Sequence, residues 1–329
     1  MATYIGIKGI EIQTIAGDPA NPIVGQVWYN TTSNTLKSYA ATGTGAWSAG
    51  GALNTGRVYA GGAGNNTAGI SMAGYTALDP TASETETYNG TAWSVEAEMN
   101  TGRDSSSGCG TSTAALDCGG NPGSVAVSLV EEWNGTGWTE IQNFTTARRQ
   151  ANAAGTTTAA IYFGGRITPG ASSDLTEEWN GSTWTEVNDQ NTARLYAGGS
   201  GVSTSAMLFG GSPGPVALCE SWNGTSWTEV ANLPAAVDEL SGAGTSNTSA
   251  LSIAGPYPSG STTVNEWNGT SWTAYASLAI ARFGQNKSSG GPTTQCFITG
   301  GHTPSSSPNY AVTTEEYNIP DETKTFTSS

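Results

Sequence analysis

The chain has 329 residues, of which 45 are glycine and only 11% are charged, and its formal net charge at pH 7 is −15. So acidic a chain is a poor partner for nucleic acid or for an anionic membrane surface, because both need clustered lysine and arginine. Eleven tryptophans, twelve tyrosines and six phenylalanines argue against disorder. We expect no signal peptide, because residues 1–18 lack a basic stretch followed by an unbroken apolar stretch. We expect no transmembrane segment either, because the sequence has no apolar run long enough to form a spanning helix.

Residues 1–46 precede the first regular repeat and predict a small β leader. A strand-like segment near the start of the chain could pair with a partner protein or fold back on the rest of the chain, and we favour pairing with a partner. Trp28 lies outside the repeat, and both a leader-core role and a partner contact are open for it. The candidate attachment residues are Tyr4, Ile5, Ile7, Ile10, Ile12, Trp28 and Tyr29.

From residue 47 onward, one pattern recurs with a period of 44 to 46 residues. A copy carries an aromatic residue followed by Asn-Gly, a tryptophan five residues after that aromatic and, in most copies, an arginine ten residues further on. We expect the aromatic residues to pack between repeats, because each buries a large apolar area. They are Tyr88, Trp133, Trp179, Trp222, Trp267 and Tyr317 at the first position, and Trp47, Trp93, Trp138, Trp184, Trp227 and Trp272 at the second.

Each repeat predicts four short strands, the last two joined by a two-residue Asn-Gly turn. Four strands in about 45 residues are typical of a β-propeller blade. The C-terminal segment holds three strands of a last blade, and the chain around Trp47 would supply the fourth. The sequence therefore predicts an all-β fold: a six-bladed propeller over residues 47–319, closed by pairing of the N- and C-terminal segments, with a tail at 320–329.

The arginine and a glutamate of the repeat vary together. Both are present in five repeats, whereas the remaining one has Val237 and Asn265 at these positions. Removing one partner of a buried ion pair costs about 3–5 kcal/mol, while removing both is often nearly neutral. We therefore predict structural ion pairs within five blades: Arg57–Glu86, Arg103–Glu131, Arg148–Glu177, Arg194–Glu220 and Arg282–Glu315.

The segments between the second and third strands vary in length, unlike the rest of the repeat. In a propeller blade they share one face with the connections between blades, so this face is the expected place for ligand contacts. Their composition suits either adaptable polar contacts or plain solvated loops. The candidate binding residues are Tyr75, Arg166, Pro213, Tyr257, His302 and Tyr310.

Residues for catalysis and metal binding are scarce. His302 is the only histidine, and the four cysteines lack the spacing of a metal site, so we expect no enzyme, cofactor or metal. Cys109 and Cys118 fall on successive predicted strands, so they could either form a disulfide or remain two buried free thiols. A carboxylate pair for glycoside hydrolysis is the enzymatic alternative, given 26 acidic residues.

The order of arginine, small-residue strand, Gly-Gly, Glu-x-aromatic-Asn and tryptophan resembles the kelch repeat of galactose-oxidase-like propellers, over about residues 47–318. The sequence motif Glu-Glu-Trp-Asn-Gly-Thr-x-Trp, followed by Thr-Ala-Arg, is similar to motifs in propellers of tailed bacteriophages, especially marine phages and cyanophages. Residues 25–39 resemble a hairpin common near the ends of phage virion proteins. The resemblance implies a non-enzymatic structural protein located in the virion, either a tail fibre with receptor binding or a capsid decoration.

This resemblance also implies partners. The leader would bind other virion proteins, and the propeller would meet a surface glycan or receptor of the host; a homo-oligomer is compatible with both. Two alternatives come from other classes of protein: a carbohydrate-active propeller enzyme that cleaves host glycans, and a cellular kelch adaptor. An acid pair in a cleft on the variable-loop face would favour the enzyme.

Overall fold

The computed structural model describes residues 12–23, 25–41, 45–288, 291–303, 310–319 and 321–326. Two compact units divide the chain: residues 1–45 with 319–329, and residues 46–318. Within the described ranges every regular element is a β-strand. None of these residues lies in a helix with the length and apolarity needed to cross a membrane.

The smaller unit contains one four-stranded sheet, whose strands follow the order Gln13–Ile15, Val27–Asn30, Thr35–Ala41 and Asp321–Phe326. The middle two strands form the hairpin predicted within residues 25–39. Asp18 organises this unit, because its carboxylate accepts hydrogen bonds from Trp28 Nε1 at 3.1 Å, Asn30 Nδ2 at 2.7 Å and Lys37 Nζ at 2.8 Å. The bond with Lys37, followed by that with Asn30, lowers the pKa of Asp18.

Two expectations for this unit change. The segment predicted as a tail contains a strand, Asp321–Phe326, that runs antiparallel to Thr35–Ala41. Its polar sequence, Asp-Glu-Thr-Lys-Thr-Phe, gave no strand signal, and its described side chains from 323 to 326 are exposed. Trp28 is fully buried, so it is a core residue and its side chain is not available to a partner.

The other attachment candidates divide into two groups. Ile12 and Tyr29 are partly exposed and remain candidates. The predicted attachment residues Tyr4, Ile5, Ile7 and Ile10 lie outside the described residues.

The larger unit repeats a four-strand antiparallel meander. The strands of repeats 1 to 3 are Gly61–Asn65, Ala68–Met72, Thr85–Tyr88 and Trp93–Val95; Ser107–Thr111, Ala114–Cys118, Val130–Trp133 and Trp138–Glu140; and Asn152–Thr156, Ala159–Phe163, Thr176–Trp179 and Trp184–Glu186. Those of repeats 4 and 5 are Gly198–Val202, Ser205–Phe209, Cys219–Trp222 and Trp227–Val230; and Ser241–Ser246, Ser249–Ile253, Val264–Trp267 and Trp272–Ala274. These sheets are consistent with the blades of a multi-bladed β-propeller.

The sixth repeat combines both ends of this unit. Gln295–Thr299 pairs with Thr314–Asn318, which in turn pairs with Ala46–Ala49 near the start of the chain. Lys287–Ser288 precedes these strands and bridges in parallel to the first strands of repeats 1 and 2. A further short pair joins Arg57–Val58 to Tyr75–Thr76.

The first strand of each repeat is rich in small residues because neighbouring first strands approach backbone to backbone. A Cβ atom on Gly242 would lie 2.4 Å from the carbonyl oxygen of Gly199, and one on Gly108 would lie 2.8 Å from that of Gly62. Both distances are shorter than any real contact of that kind, so glycine is required there.

The Asn-Gly turn between the third and fourth strands differs from the prediction. Trp138 pairs directly with Trp133, which leaves a loop of four residues, not two. Asn134 uses its side-chain Oδ1 to accept the backbone N–H groups of Thr136 and Gly137, both at 3.0 Å. Only Gly135 has a positive φ, +91°. The asparagine therefore acts as an acceptor that closes the turn, a role for which this side chain is also suited.

The paired aromatic residues form the contact between neighbouring repeats. In three repeats, the indole N–H of the second tryptophan donates to a threonine hydroxyl that begins the third strand of the repeat before it. The pairs are Trp93–Thr314 at 3.0 Å, Trp138–Thr85 at 2.9 Å and Trp227–Thr176 at 3.0 Å. Trp184 and Trp272 pack in the same clusters as Val130 and Cys219, which stand at that position, and the indole nitrogen of Trp184 has no hydrogen-bond partner among the described residues.

Candidate binding site on the variable-loop face

A buried ion pair anchors the segment that leads into each of five repeats. The arginines are essentially unexposed, and the glutamates are no more than 2% exposed. The structure brings every predicted pair together: Arg57–Glu86 at 2.7 Å, Arg103–Glu131 at 2.7 Å, Arg148–Glu177 at 2.9 Å, Arg194–Glu220 at 2.7 Å and Arg282–Glu315 at 2.9 Å.

Each glutamate also holds the chain just before the arginine, which the sequence analysis missed. In repeat 3, Glu177 accepts the backbone N–H of Thr145 at 2.7 Å and that of Thr146 at 3.4 Å. In repeat 4, it is Asn191 that donates to Glu220, from the backbone at 2.7 Å and from Nδ2 at 2.8 Å. A polar residue three positions before the arginine is the signal that was available, although Ala279 shows that the backbone donor suffices.

Two residues after the arginine position, the chain adopts a left-handed conformation in every repeat. The φ angles lie between +53° and +58° at Tyr59, Ser105, Gln150, Tyr196, Glu239 and Gly284. We call these six residues the mouth ring. Each backbone N–H donates to the carbonyl oxygen of the ring residue in the preceding repeat, and Tyr59 donates to Gly284 at 2.8 Å, so the hydrogen bonds form a closed circuit. Left-handed φ is uncommon for residues other than glycine, and five of these six are not glycine.

A pocket of about 550 Å³ opens beside the mouth ring. The variable segments contribute Arg166, Pro213 and Tyr257, three of the predicted binding residues, and Gly170, Ser172 and Ser212 as well. From the segments after the arginine positions come Tyr59, Leu195, Tyr196, Asp238 and Glu239. We call this site the mouth pocket.

The two tyrosines of the mouth ring present neutral hydroxyl groups at neutral pH. Tyr59 donates to Glu239 Oε2 at 2.9 Å, and Gln150 Nε2 donates to the Tyr196 hydroxyl at 2.6 Å. Burial and then the charge of Glu239 raise the pKa of Tyr59, and burial raises that of Tyr196 to about 12. The pocket therefore combines ring faces and hydroxyls with the carboxylate of Glu239.

The remaining predicted binding residues join the same face through a chain of aromatic contacts. His302 stacks on Phe283 at 4.7 Å between ring centroids, and Phe283 meets Tyr257 edge to face at 5.4 Å. His302 also lies 5.9 Å from Tyr59 and 5.5 Å from Tyr310. Tyr310 in turn contacts Tyr75 at 5.5 Å. All six predicted binding residues thus line the mouth pocket or belong to the ring contacts that extend from this face.

Asp238 and Glu239 place two adjacent carboxylates at the pocket. Asp238 Oδ2 accepts a hydrogen bond from Ser212 Oγ at 2.9 Å, whereas its buried Oδ1 has no hydrogen-bond partner in the described part of the chain. These residues escaped the sequence analysis because they follow Val237, in the repeat that lacks the arginine.

The four cysteines, Cys109, Cys118, Cys219 and Cys296, are buried free thiols. Cys109 is paired in register with Leu116, and Cys118 with Ser107, so the two sulfur-bearing residues are not opposite each other. Burial raises the pKa of Cys109 to about 12 and that of Cys219 to about 11, which keeps both in the thiol form. Over the described ranges, no group of three or more histidine, cysteine or acidic residues could hold a metal ion.

No protein-family model and no curated protein sequence matches the chain. Among solved structures, the fold is similar to that of YjhT, with a TM-score of 0.66 and 13% sequence identity. The match covers 83% of this chain and 99% of YjhT. At that identity the similarity concerns the fold alone.

Proposed function

We propose that the protein is a non-enzymatic binding protein of a tailed-phage virion: a closed, six-bladed, kelch-like propeller whose ligand enters the mouth pocket. The observation that carries the binding role is the convergence of three variable segments on one cavity of about 550 Å³. Concave sites of this size, with a few polar groups among aromatic faces, are typical of small-ligand binding. A sugar unit of a host glycan has the hydroxyl groups and ring faces that such a site can contact.

Three observations support six blades and a closed ring. The mouth ring is a circuit of six hydrogen-bonded residues, one from each repeat. The first strands of successive repeats contact each other, and Lys287–Ser288 contacts the first strands of both repeat 5 and repeat 1. Ala46–Ala49 completes the last sheet from the opposite end of the chain. A propeller closed in this way leaves only short sheet edges exposed.

The virion role is supported by the phage resemblance of the repeat and of the leader hairpin, Val27–Asn30 with Thr35–Ala41. In this proposal the leader binds other virion proteins, and the larger unit displays the mouth pocket to the host surface. A tail fibre and a capsid decoration both fit this arrangement.

A binding assay on the full-length chain tests the proposal. We would titrate it with whole cyanobacterial cells and with a panel of purified bacterial surface polysaccharides, and follow released sugars in the same samples. We expect saturable binding without release. Tyr257→Ala removes an aromatic side chain that is 61% exposed in the pocket, and binding should weaken at least tenfold.

Val95→Ala is the matched control, because Val95 is 64% exposed on the outermost strand of repeat 1. It should bind as the parent protein does. Equal affinities for both variants, or no binding by the parent, would contradict the proposal.

A carbohydrate-active enzyme is the second candidate, favoured by the adjacent carboxylates of Asp238 and Glu239 in the pocket. Glycoside hydrolysis uses one carboxyl group as acid and another as base or nucleophile. Sugar release that is lost in both Asp238→Asn and Glu239→Gln would establish the enzyme and replace the non-enzymatic proposal.

A further inference from the structure

Repeat 5 contains a second cavity, of about 240 Å³, at the position that the buried ion pair occupies in the other repeats. Val237 and Asn265 line it, in place of the arginine and the glutamate. It shares no lining residue with the mouth pocket. Its volume is below that of most pockets for drug-sized ligands, so it suits a group the size of a side chain.

The backbone of repeat 5 keeps the acceptors that the other repeats offer to a guanidinium group. In repeat 3, Arg148 donates to the carbonyl oxygens of Gly164 at 3.2 Å and Leu175 at 2.6 Å. In repeat 4, Arg194 does the same with Gly210 at 3.3 Å and Leu218 at 2.7 Å. Repeats 1 and 6 repeat this geometry with Arg57 and Arg282.

The corresponding residues of repeat 5 are Ala254 and Thr263, and both line the cavity. Ala254 has a φ of +64°, close to the +60° of its counterpart Ala73. Its N–H donates to the Thr263 carbonyl at 3.0 Å, as the Ala73 N–H does to Glu84 at 3.0 Å. The frame that surrounds a guanidinium group elsewhere is therefore preserved here, although an alanine must adopt a left-handed conformation to keep it.

A third change accompanies the first two. Pro234 stands three residues before Val237, where the other repeats have a residue whose N–H donates to the glutamate. Proline has no N–H, so a carboxylate at position 265 would lose one of its donors. The neutral amide of Asn265 needs no such donor and still offers an acceptor oxygen. Val237 and Asn265 thus remove the chain's own ion pair, and Pro234 removes a backbone donor to the carboxylate, while the backbone carbonyls stay in place.

We propose that the repeat 5 cavity binds a guanidinium group supplied from outside the chain, either a small guanidinium compound or the arginine side chain of a partner protein. The carbonyl oxygens of Ala254 and Thr263 and the amide oxygen of Asn265 accept its N–H groups. Val237 provides an apolar contact for the carbon stem. The chain's net charge of −15 favours entry of a cation. This proposal is independent of the mouth pocket.

The test uses the full-length protein and ethylguanidinium chloride as the probe, with ethylammonium chloride at the same ionic strength as the control. Binding is followed by chemical-shift changes and by the rise in melting temperature. Asn265→Glu adds a carboxylate facing the cavity, and we expect it to bind ethylguanidinium at least tenfold more tightly, since charge-assisted hydrogen bonds are stronger than neutral ones. Val237→Arg/Asn265→Glu supplies the chain's own pair and should abolish binding.

Asn265→Leu, which fills the cavity without introducing a charge, is a second blocking variant in case the double variant folds poorly. A short peptide with one central arginine, compared with its lysine counterpart, distinguishes the two sources of the group. Binding of both ethylguanidinium and the arginine peptide supports partner docking, and binding of ethylguanidinium alone supports a small ligand. Binding that persists in both blocking variants, or no binding to either the parent or Asn265→Glu, overturns the proposal.

Discussion

At the residue scale, a single threonine position decides whether a buried tryptophan is hydrogen-bonded. Thr85, Thr176 and Thr314 each accept an indole N–H from the next repeat. Val130 occupies the same position in repeat 2, and Trp184 Nε1 is buried without a partner among the described residues. An unsatisfied buried donor costs about 1–3 kcal/mol.

We therefore expect Val130→Thr to raise the free energy of unfolding by about 1 kcal/mol, because the new hydroxyl accepts the Trp184 N–H. Urea denaturation followed by tryptophan fluorescence measures the change. Val264→Thr is the matched control at the same position of repeat 5: Trp47, the second tryptophan of the next repeat, already donates to the Ala276 carbonyl at 2.9 Å, so the hydroxyl gains no indole partner and stability should fall. A loss of stability in Val130→Thr would refute this account.

Asp117 shares one guanidinium group with a second carboxylate. Arg103 Nε lies 3.1 Å from Asp117 Oδ1, while its Nη1 lies 2.7 Å from Glu131 Oε1. Burial raises the pKa of Asp117 to about 6, against the opposing effect of Arg103, and the charge of Glu131 adds a smaller increase. Because that value exceeds its pKa of about 4 in the unfolded chain, the folded state binds the proton more tightly.

The contribution of Asp117 to stability is therefore present below about pH 4 and is lost as the pH rises through about 6. Asp117→Asn removes this dependence and should gain about 3 kcal/mol relative to the parent between these pH values, since the pKa shift is about two units and each unit corresponds to about 1.4 kcal/mol. Denaturation curves of both proteins from pH 4 to 7.5 measure the difference. A constant difference across that range would show that Asp117 stays ionised.

At the scale of the structural element, the glutamate of the third strand holds the segment that enters each repeat. We expect Glu177→Ala to destabilise the protein by about 3–5 kcal/mol, because it leaves the Arg148 charge buried and removes the acceptor of two backbone N–H groups. Asn265→Ala, at the same position in the repeat without the pair, should change stability by less than about 0.5 kcal/mol. Thermal and urea unfolding of both variants check this expectation.

Much of the repeat could be predicted from residues at fixed spacing. The coincident loss of the arginine and the glutamate at Val237 and Asn265 pointed to their contact, and the apolar run Ala159–Phe163 forms a strand. The predicted length of the Asn-Gly turn was wrong. The same dipeptide can form a two-residue turn by adopting positive φ angles, or it can close a four-residue loop through hydrogen bonds to the asparagine side chain. The spacing from the dipeptide to the tryptophan is compatible with both and does not distinguish them.

The sequence predicted the face on which the mouth pocket lies, but it did not predict all the residues that line the pocket. Variable length identified the segments of Arg166, Pro213 and Tyr257, whereas Tyr59 and Glu239 lie in short segments of constant length. The sequence does not indicate their left-handed conformation, because a positive φ is usually predicted from a glycine or an asparagine and these residues are neither. Their proximity joins residues 180 positions apart through the ring of repeats, which local patterns do not report.

At the scale of the whole molecule, the pairing of Ala46–Ala49 with Thr314–Asn318 joins the two ends of the larger unit. Ala46 is in register with Asn318, and both are exposed. We expect Ala46→Cys/Asn318→Cys to form a disulfide in the native protein and to stabilise it by about 2–4 kcal/mol relative to its reduced form. Denaturation with and without reductant measures the gain.

Ala49→Cys/Asn318→Cys is the matched control, because Ala49 is in register with Glu315, three residues away from Asn318. Cysteines so displaced exceed the Cα separation that a disulfide can span. Dimers linked between molecules, in place of an internal bond in the in-register variant, would contradict the closed arrangement.

The circuit of the mouth ring has a consequence for how such a chain can evolve. Each ring residue donates its N–H to the preceding repeat and accepts an N–H from the following one, so in the proposed closed propeller no repeat is terminal. Recombination between near-identical repeats readily adds or deletes one copy in a linear array, whose ends tolerate the change. Here the gain or loss of one copy would break the circuit of hydrogen bonds. A ring with a different number of repeats could form only if the packing angle between all neighbouring repeats changed. Selection should therefore hold the copy number fixed while individual repeats diverge, and repeat 5 shows how far one copy can depart without breaking the circle.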